Sequence, residues 1–146
     1  MGVETAQRRL VAKKVIPARK AAAMAWPTES AQRRLAHELN LWLATVHASG
    51  APHLVPVWFT YVAGLVYVCT ERTTVKVRNV GSHPQVAISL ESGDEALIAT
   101  GSGRIVERPW PPEVAEAFRR KYDWDIADGS SSSCLLAIEP SRWLEW

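Results

Sequence analysis

From residue 41 onward, short apolar runs alternate with polar positions, which predicts a mostly β protein. β-Branched and aromatic residues fill these runs, and clusters of Gly, Pro, Ser and Asn separate them, as expected of strands joined by turns. The predicted strands are LWLATVHA, HLVPVWFTYV, LVYVCT, QVAISLES, ALIATGSGRIVER and CLLAIEPSRWLEW. Ala63-Gly64 predicts a tight reversal, and Gly101 with Gly103 predicts a bulge or a close backbone approach inside a long strand.

Two segments have the pattern of helices instead. AQRRLAHEL follows Ser30, a residue type that caps helices, and places Leu35 and Leu39 on one face. PPEVAEAFRRKYDW has Pro at its start, acids in its first turn and cations toward its end. Its predicted buried positions are Val114, Ala117, Phe118 and Tyr122. Six strands with two or three helices predict a mainly β, α+β fold, a small barrel with helices packed outside.

Charge is distributed unevenly along this chain of 146 residues, which is long enough for one domain with a core. Residues 1–38 hold eight Lys or Arg and three Asp or Glu, a net charge of about +5, and the remainder nets about −3. We predict a basic, flexible arm at residues 1–29 and a folded domain at residues 30–146. Nucleic-acid binding by the arm is a weak alternative, because the charges lack interleaved aromatic residues or a known motif.

Several classes of protein are disfavoured by what the sequence lacks. No apolar run reaches the roughly 20 residues of a membrane span, and the N-terminus has no apolar signal core, so we expect a soluble, cytoplasmic protein. Cys69 and Cys134 are far apart and the four His are scattered, so neither a disulfide framework nor a metal site is predicted. Neither G-x-S-x-G nor a complete G-x-G-x-x-G occurs, which disfavours a triad hydrolase and a Rossmann site.

Hydroxyls, cations and an amide are concentrated in residues 70–84, TERTTVKVRNVGSHP, between two apolar runs. If a strand gives way to a helical turn there, the first backbone N–H groups and the helix dipole attract an anion. Thr73 or Thr74 would cap the turn, and Arg72 and Lys76, four residues apart on a helix, would converge on one phosphate. The alternative is a solvated turn whose cations pair with nearby acids.

Three segments occur in an order that resembles a known family. They are LATVHASGAPHLVPVWF, then T-x-x-x-x-x-K-x-R-N followed by HPQVAIS, and finally AFRRKYDWDI through SRWLEW. With them, residues 40–146 resemble the pyridoxamine 5′-phosphate oxidase-like, FMN-binding split-barrel superfamily, especially its branch of deazaflavin F420-dependent reductases. The resemblance implies a six-stranded antiparallel split β-barrel, a homodimer, and a cofactor, FMN or F420, at the subunit interface.

The resemblance also implies two groups of cofactor-binding residues. Those that would hold the cofactor phosphate and ribityl chain are Thr70, Thr74, Lys76, Arg78 and Asn79. The argument from helix geometry adds Arg72 and Thr73 to this group. Those on the strand along the tricyclic ring are His53, Val55, Pro56, Val57 and Trp58. Backbone N–H groups near Val57 and Trp58 are expected to hydrogen-bond the ring.

Departures from the family pattern bear on the substrate. Pyridoxamine phosphate oxidases have Arg and Lys where this chain has His53 and Trp58, and an Arg-Lys pair where it has Val75-Lys76. The chain also lacks their C-terminal Arg and His pattern. We therefore expect an oxidoreductase that is not a true pyridoxamine phosphate oxidase and that uses FMN or F420, with a lean to F420 because Trp58 makes the ring site more apolar.

The expected chemistry needs no catalytic acid, base or nucleophile from the chain, because the cofactor ring carries the hydride or electron pair. The electron acceptor is expected to be a small molecule that the sequence does not identify. The alternative is a non-catalytic protein that carries a flavin, haem or another tetrapyrrole on the same barrel, since a fold does not determine a function.

Overall fold

The computed structural model describes residues 22–128 and 130–146, which form one antiparallel sheet flanked by helices. The described helices are α1 (Glu29–His37), α2 (Val75–Ser82) and α3 (Pro112–Tyr122). The described strands are β1 (Ala22–Met24), β2 (Leu41–Val46), β3 (Pro52–Val57), β4 (Thr60–Val62), β5 (Leu65–Glu71), β6 (Gln85–Leu90), β7 (Leu97–Val106) and β8 (Ser133–Glu145). None of these helices is long and apolar enough to cross a membrane.

The strands are hydrogen-bonded in the order β3-β2-β6-β7-β8-β5-β4, and β1 pairs with the C-terminal part of β8. The predicted mainly β split barrel with flanking helices is confirmed. The strand count is corrected, because the described residues contain eight strands and not six. One added strand is β1, and the other arises because the predicted strand HLVPVWFTYV is broken into β3 and β4.

The break falls at Trp58-Phe59, where the chain turns a corner between two pairing partners. Val57 still pairs with Leu41 of β2, whereas Thr60 pairs with Tyr67 of β5. At the corner the backbone N–H of Phe59 donates to the side-chain hydroxyl of Tyr122 on α3 (2.9 Å). A tertiary hydrogen bond thus replaces the strand pairing that the corner interrupts.

Alternate residues of the central strands face two different cores, as the period of a strand requires. On β5, Val66 and Val68 belong to the core inside the barrel, whereas Tyr67 and Cys69 face α3. The outer core is completed by Val114, Phe118, Ile126, Leu135 and Ala137. Cys134 belongs to the inner core, so the two thiols face opposite sides of the sheet.

Both predicted glycine features are confirmed. Ala63 and Gly64 have φ of 51° and 84°, the left-handed backbone of a two-residue hairpin turn. The β7–β8 register shifts between Thr100 and Gly101, and a Cβ at Gly101 would clash with the backbone carbonyl of Glu139. A Cβ at Gly103 would lie 3.2 Å from the side chain of Val80.

Helix α1 begins earlier than Ser30 suggested. Its N-cap is Thr28, whose hydroxyl accepts a hydrogen bond from the Ala31 N–H (3.1 Å) and donates one to the Glu145 carboxylate (2.9 Å). This contact with the end of β8 favours Thr28 over Ser30 as the cap. Leu35 is buried as predicted, but the helix ends at His37, so Leu39 lies beyond it and is 52% exposed.

The N-terminal part of the chain joins the sheet through β1. This strand lies inside the segment predicted as an arm, and α1 begins one residue before the predicted domain start. Residues 1–21 of the predicted arm lie outside the described residues.

Helix α3 covers the outer core with the face that the sequence predicted. Val114 and Phe118 are fully buried, and Ala117 and Tyr122 are half-buried. Pro111 and Pro112 open the helix, and the residue after it, Asp123, has a left-handed φ of 52°. Local sequence therefore sets both ends of α3.

Candidate functional site

The predicted change from strand to helix in residues 70–79 is confirmed. Strand β5 ends at Glu71, and α2 begins at Val75 with Thr74 in the N-cap position. The Thr74 hydroxyl does not cap the helix, because it donates to the backbone carbonyl of Glu71 (2.9 Å). No described residue accepts a hydrogen bond from the N–H groups of Val75, Lys76 or Val77. These three donors and the positive end of the helix dipole are available to an anion.

Lys76 is the cation that the structure holds at this helix terminus. It is half-buried in the first turn, and burial lowers the pKa of its ammonium group. Arg72 lies in the turn before α2 and not one helical turn from Lys76, so the predicted i, i+4 convergence is wrong. Arg78 lies about 200° around the helix from Lys76 and is exposed.

The alternative of cations paired with acids is not what the described residues show. None of Arg72, Lys76 and Arg78 forms a salt bridge with a described carboxylate. Of the remaining predicted phosphate residues, Thr70 and Thr74 are half-buried and Thr73 is exposed. The first turn of α2 therefore carries positive charge that no described carboxylate compensates through a salt bridge.

Asn79 connects the two predicted segments. It is buried, and its side-chain N–H donates to the buried hydroxyl of Thr45 (3.0 Å). Thr45 on β2 pairs directly with His53 on β3. The hydrogen bond therefore joins α2 to β2, the strand that pairs with the predicted ring strand β3, and it uses one donor of the Asn79 side chain inside the protein.

Strand β3 lies at the edge of the sheet, with β2 as its partner among the described strands. His53, Val55 and Val57 alternate toward the barrel interior, whereas Leu54 and Pro56 point to the outer face. Pro56 thus faces away from His53, Val55 and Val57. The Nδ1 atom of His53 is buried and has no hydrogen-bond partner among the described residues.

Trp58 is held against the end of α3. Its indole is parallel to the ring of Tyr122 (8° between planes, 4.6 Å between centroids) and meets Trp124 edge-on at 5.9 Å. The side chain nevertheless remains 49% exposed. Sequence reasoning did not assign Tyr122 or Trp124 to the site, because both lie more than 60 residues along the chain from Trp58 and no local pattern links them.

A shallow apolar groove of about 480 Å³ lies on the outer face of β3, β2, β6 and β7. Three of its lining residues are large and exposed, namely Trp42, Leu54 and Trp146. Leu54 lies between the ring-strand residues His53 and Val55. The groove therefore adjoins the edge strand of the candidate site.

A wider groove of about 790 Å³ lies between α3 and the segment Arg108–Trp110, and contains none of the predicted site residues. Its charges are used within the protein. Arg119 pairs with Glu116, and Arg108 lies 4.0 Å above the ring of Trp110 and donates to the carbonyl of Ser130. Geometry thus favours the α2–β3 region as the candidate site although this groove is larger.

Comparison with protein families gives one match that spans most of the chain. The model of the family described as pyridoxamine 5′-phosphate oxidase matches residues 27–146. The match contains all the predicted site residues. No protein of curated function matches the chain.

Solved structures show the same fold at low sequence identity. An F420 reductase is 22% identical with a TM-score of 0.64, covering 80% of this chain and 98% of its own. HutZ, the heme storage protein from Vibrio cholerae, is 21% identical with a TM-score of 0.68, covering 80% and 94%. A conserved hypothetical protein from Mycobacterium tuberculosis is 21% identical with a TM-score of 0.67, covering 87% and 89%. At these identities the similarity concerns the fold.

Proposed function

The chain belongs to the pyridoxamine 5′-phosphate oxidase family, and on this premise we propose that it is an oxidoreductase that binds a flavin-type cofactor, FMN or F420, and reduces or oxidises a small-molecule partner. The observation that carries the proposal is the first turn of α2. Three backbone N–H groups without described acceptors and the unpaired ammonium of Lys76 meet there. A phosphate fits these donors in charge and in hydrogen bonding.

The phosphate end of the cofactor would be held mainly by α2. The N–H groups of Val75–Val77 donate to the phosphate oxygens, and Lys76 adds a point charge. Thr70 and Thr74 lie at the end of β5 and the start of α2, where their hydroxyls are near the ribityl chain. Arg72 and Arg78, being exposed, would contribute long-range attraction more than fixed contacts.

The ring end would lie along β3, whose partner β2 is joined to α2 by the hydrogen bond between Asn79 and Thr45. His53, Val55 and Val57 line the side of β3 that faces the barrel interior, and Trp58 supplies an aromatic surface. Backbone N–H groups near Val57 and Trp58 would hydrogen-bond the ring. The bound ring supplies the hydride or electron pair, while the chain binds, orients and excludes water.

The residues of the ring strand disfavour pyridoxamine phosphate as the substrate. They also make the surroundings of the cofactor ring apolar and not charged. His53 and Trp58 stand where pyridoxamine phosphate oxidases have Arg and Lys. The two cations of those oxidases are therefore absent from these positions. The apolar face of Trp58 suits a deazaflavin, which is why F420 is favoured over FMN.

We further propose that two copies of the chain associate through the apolar groove on the outer face. A contiguous apolar surface rimmed by polar residues is typical of a protein interface. Because Leu54 of this groove lies on the same strand as His53 and Val55, a partner seated there would border the cofactor ring.

The proposal is tested by titrating the purified protein with FMN and, separately, with F420, followed by absorbance and fluorescence. We expect saturable binding of at least one of them. Lys76→Ala should weaken binding about ten- to hundredfold, because a charge-assisted contact to phosphate contributes about 1.5–3 kcal/mol. Arg33→Ala, which removes an exposed cation on α1, is the matched control and should leave affinity unchanged.

Reduction of the bound cofactor coupled to loss of an acceptor would complete the assignment as an enzyme. Binding of neither cofactor would refute it. Equal affinity of the wild-type and Lys76→Ala proteins for a cofactor that does bind would refute the phosphate assignment alone.

A non-catalytic haem carrier is the second candidate, and His53 favours it. Its imidazole lies half-buried on the ring strand, and because Nδ1 is buried, Nε2 is the nitrogen that would bind the haem iron. The similar fold of a heme storage protein is compatible with this role. A Soret band that appears on hemin addition and is lost in His53→Ala would support it, and an unchanged hemin spectrum would exclude it.

A further inference from the structure

The last turn of α3 fixes the corner between β3 and β4. The Tyr122 hydroxyl accepts a hydrogen bond from the Phe59 N–H (2.9 Å). It also lies 2.8 Å from the Leu39 carbonyl and 2.9 Å from the Phe59 carbonyl, and donates its proton to one of them. The backbone of Phe59, the residue that follows Trp58, is therefore held by one side chain of another element.

The same residue fixes the side chain of Trp58. Tyr122 lies parallel to the indole on one face. The Tyr122 ring in turn packs against Phe118, with 6.0 Å between ring centroids. Trp124 packs edge-on against the Trp58 indole and also packs against Phe118, with 5.6 Å between the ring centroids of Trp124 and Phe118. Exposure increases along this series, from Phe118 at 0% to Trp58 at 49%. The indole is thus supported from the core and presents its remaining surface outward.

A supported, half-exposed indole is suited to bind a planar ring. An unsupported surface tryptophan loses rotamer freedom when a ligand stacks on it, which opposes binding. Here the protein has already restricted the indole through Tyr122 and Trp124. Aromatic stacking then strengthens ring binding by about two- to tenfold beyond the contribution of the buried apolar area.

We infer that Tyr122 is a positioning residue of the ring site, which sets the orientation of the Trp58 indole and of the Phe59 peptide for a bound tricyclic ring. The inference rests on the proposed function, since it assigns α3 to the same site. In this arrangement Tyr122 does not contact the phosphate end of the cofactor, which α2 would bind.

This division of the site is tested with two fragments of the cofactor. Lumiflavin carries the tricyclic ring without ribityl phosphate, and inorganic phosphate represents the other end, measured as a competitor of FMN. Tyr122→Leu, which removes the stacked ring, should weaken lumiflavin binding about fivefold and leave the phosphate inhibition constant unchanged. Lys76→Ala should raise the phosphate inhibition constant and leave lumiflavin binding unchanged.

Tyr122→Phe keeps the stack and removes only the hydroxyl, so it tests the peptide contact in a protein that retains its core. We expect about a twofold loss of lumiflavin affinity and a shift in the absorbance maximum of the bound ring, because the Phe59 peptide is no longer fixed. Tyr61→Phe is the matched control. It removes the hydroxyl of another half-buried tyrosine that contacts a different tryptophan, Trp143.

Thermal unfolding of each variant separates loss of the site from loss of the fold. If Tyr122→Phe and Tyr122→Leu bind lumiflavin as the wild type does, the inference is wrong although the proposed function stands. If both variants lose phosphate and ring affinity equally, Tyr122 acts on the fold and not on the ring site, which also overturns the inference. If the wild type binds neither FMN nor F420 nor lumiflavin, the proposed function and the inference both fall.

Discussion

The two halves of the sheet's outer face are covered to different extents. Over β5, β8 and the second half of β7, α3 buries Tyr67, Cys69 and Leu135 beneath Val114 and Phe118. Over β3, β2, β6 and the first half of β7, no described helix lies on the sheet, and Trp42, Leu54 and Trp146 remain exposed. The half under α3 is a buried core, whereas the half without a helix has the composition of a protein interface.

Strand β7 runs through both halves, and a register shift in its pairing with β8 marks the boundary between them. Residues up to Thr100 pair in one register with β8, and residues from Gly101 pair in a shifted one. The extra residue is Ser141 on β8, and because a bulge bends its strand and increases the local twist, the sheet changes direction at this point. The same chain segment therefore contributes to the covered core and to the open groove.

The largest effect is expected in the covered half. Phe118→Ala removes a fully buried ring between α3 and the sheet and should lower the free energy of unfolding by about 4 kcal/mol. Leu54→Ala in the open half should cost less than about 1 kcal/mol in the monomer, since that side chain is exposed. Urea denaturation of both variants checks the difference. Equal losses would mean that the two halves do not differ as described.

The boundary between the halves is tested by Gly101→Ala. Because the new Cβ would clash with the Glu139 carbonyl, the β7–β8 pairing must shift, and we expect a loss of about 3 kcal/mol in unfolding free energy. Gly93→Ala, where the added methyl group meets open space, is the control and should change stability by less than about 0.5 kcal/mol. A neutral Gly101→Ala would show that the bulge tolerates a side chain.

The open half is tested through association. If it is the interface between two copies, Leu54→Glu should weaken the dimer by about 2 kcal/mol, or roughly thirtyfold in dissociation constant, because a charge is placed in an apolar contact. Sedimentation velocity across a concentration series measures this. Leu39→Glu, at an exposed leucine outside the groove, is the control. A wild-type monomer at all concentrations would contradict the proposed dimer.

The smallest effect concerns Lys121, at the margin of the covered half. Its ammonium lies 3.6 Å above the ring of Phe59 and donates to the Leu35 carbonyl at 3.0 Å. Burial lowers the pKa of Lys121 from 10.5 to about 8, against the opposing attraction of Glu38. The folded protein therefore binds its proton less tightly than the unfolded chain does. Between about pH 8 and 10.5 this group should make folding more favourable as pH rises.

The comparison of wild type with Lys121→Met isolates that contribution from the other titrating groups. We expect the stability of wild type relative to the variant to increase by less than about 1 kcal/mol from pH 7.5 to pH 10, since solvent screens the half-exposed amine. Thermal unfolding at several pH values measures it. A difference that is constant with pH, or that falls as pH rises, would contradict the lowered pKa.

Much of the fold followed from local sequence patterns. The hairpin at Ala63-Gly64 and the bulge at Gly101 were predicted from the backbone preferences of glycine. The buried face of α3 was predicted from the spacing of apolar residues at three to four positions. Errors occurred where a distant residue intervened. Thr28 replaced Ser30 as the cap of α1 because Glu145 holds its hydroxyl, and the second strand was split at a corner that Tyr122 stabilises.

The candidate site was predictable in part for the same reason. The change from strand to helix before Val75 has a local signal, so the phosphate end and Lys76 could be proposed from the sequence. The i, i+4 argument for Arg72 failed because the helix begins three residues after it. The support of Trp58 by Tyr122 and Trp124 has no local signal.

The sequence by itself determined most of the strand segments, the tight turn at Ala63-Gly64 and the change from strand to helix before Val75, because side-chain period, glycine conformation and helix starts depend on neighbours along the chain. Tertiary structure alone decided that Asn79 reaches Thr45 across 34 positions and that Phe59 bonds to Tyr122 across 63. It also decided which half of the outer face α3 covers. Such contacts depend on strand order and on the packing of α3, and many different arrangements of the same strands and helices would satisfy the local patterns equally well.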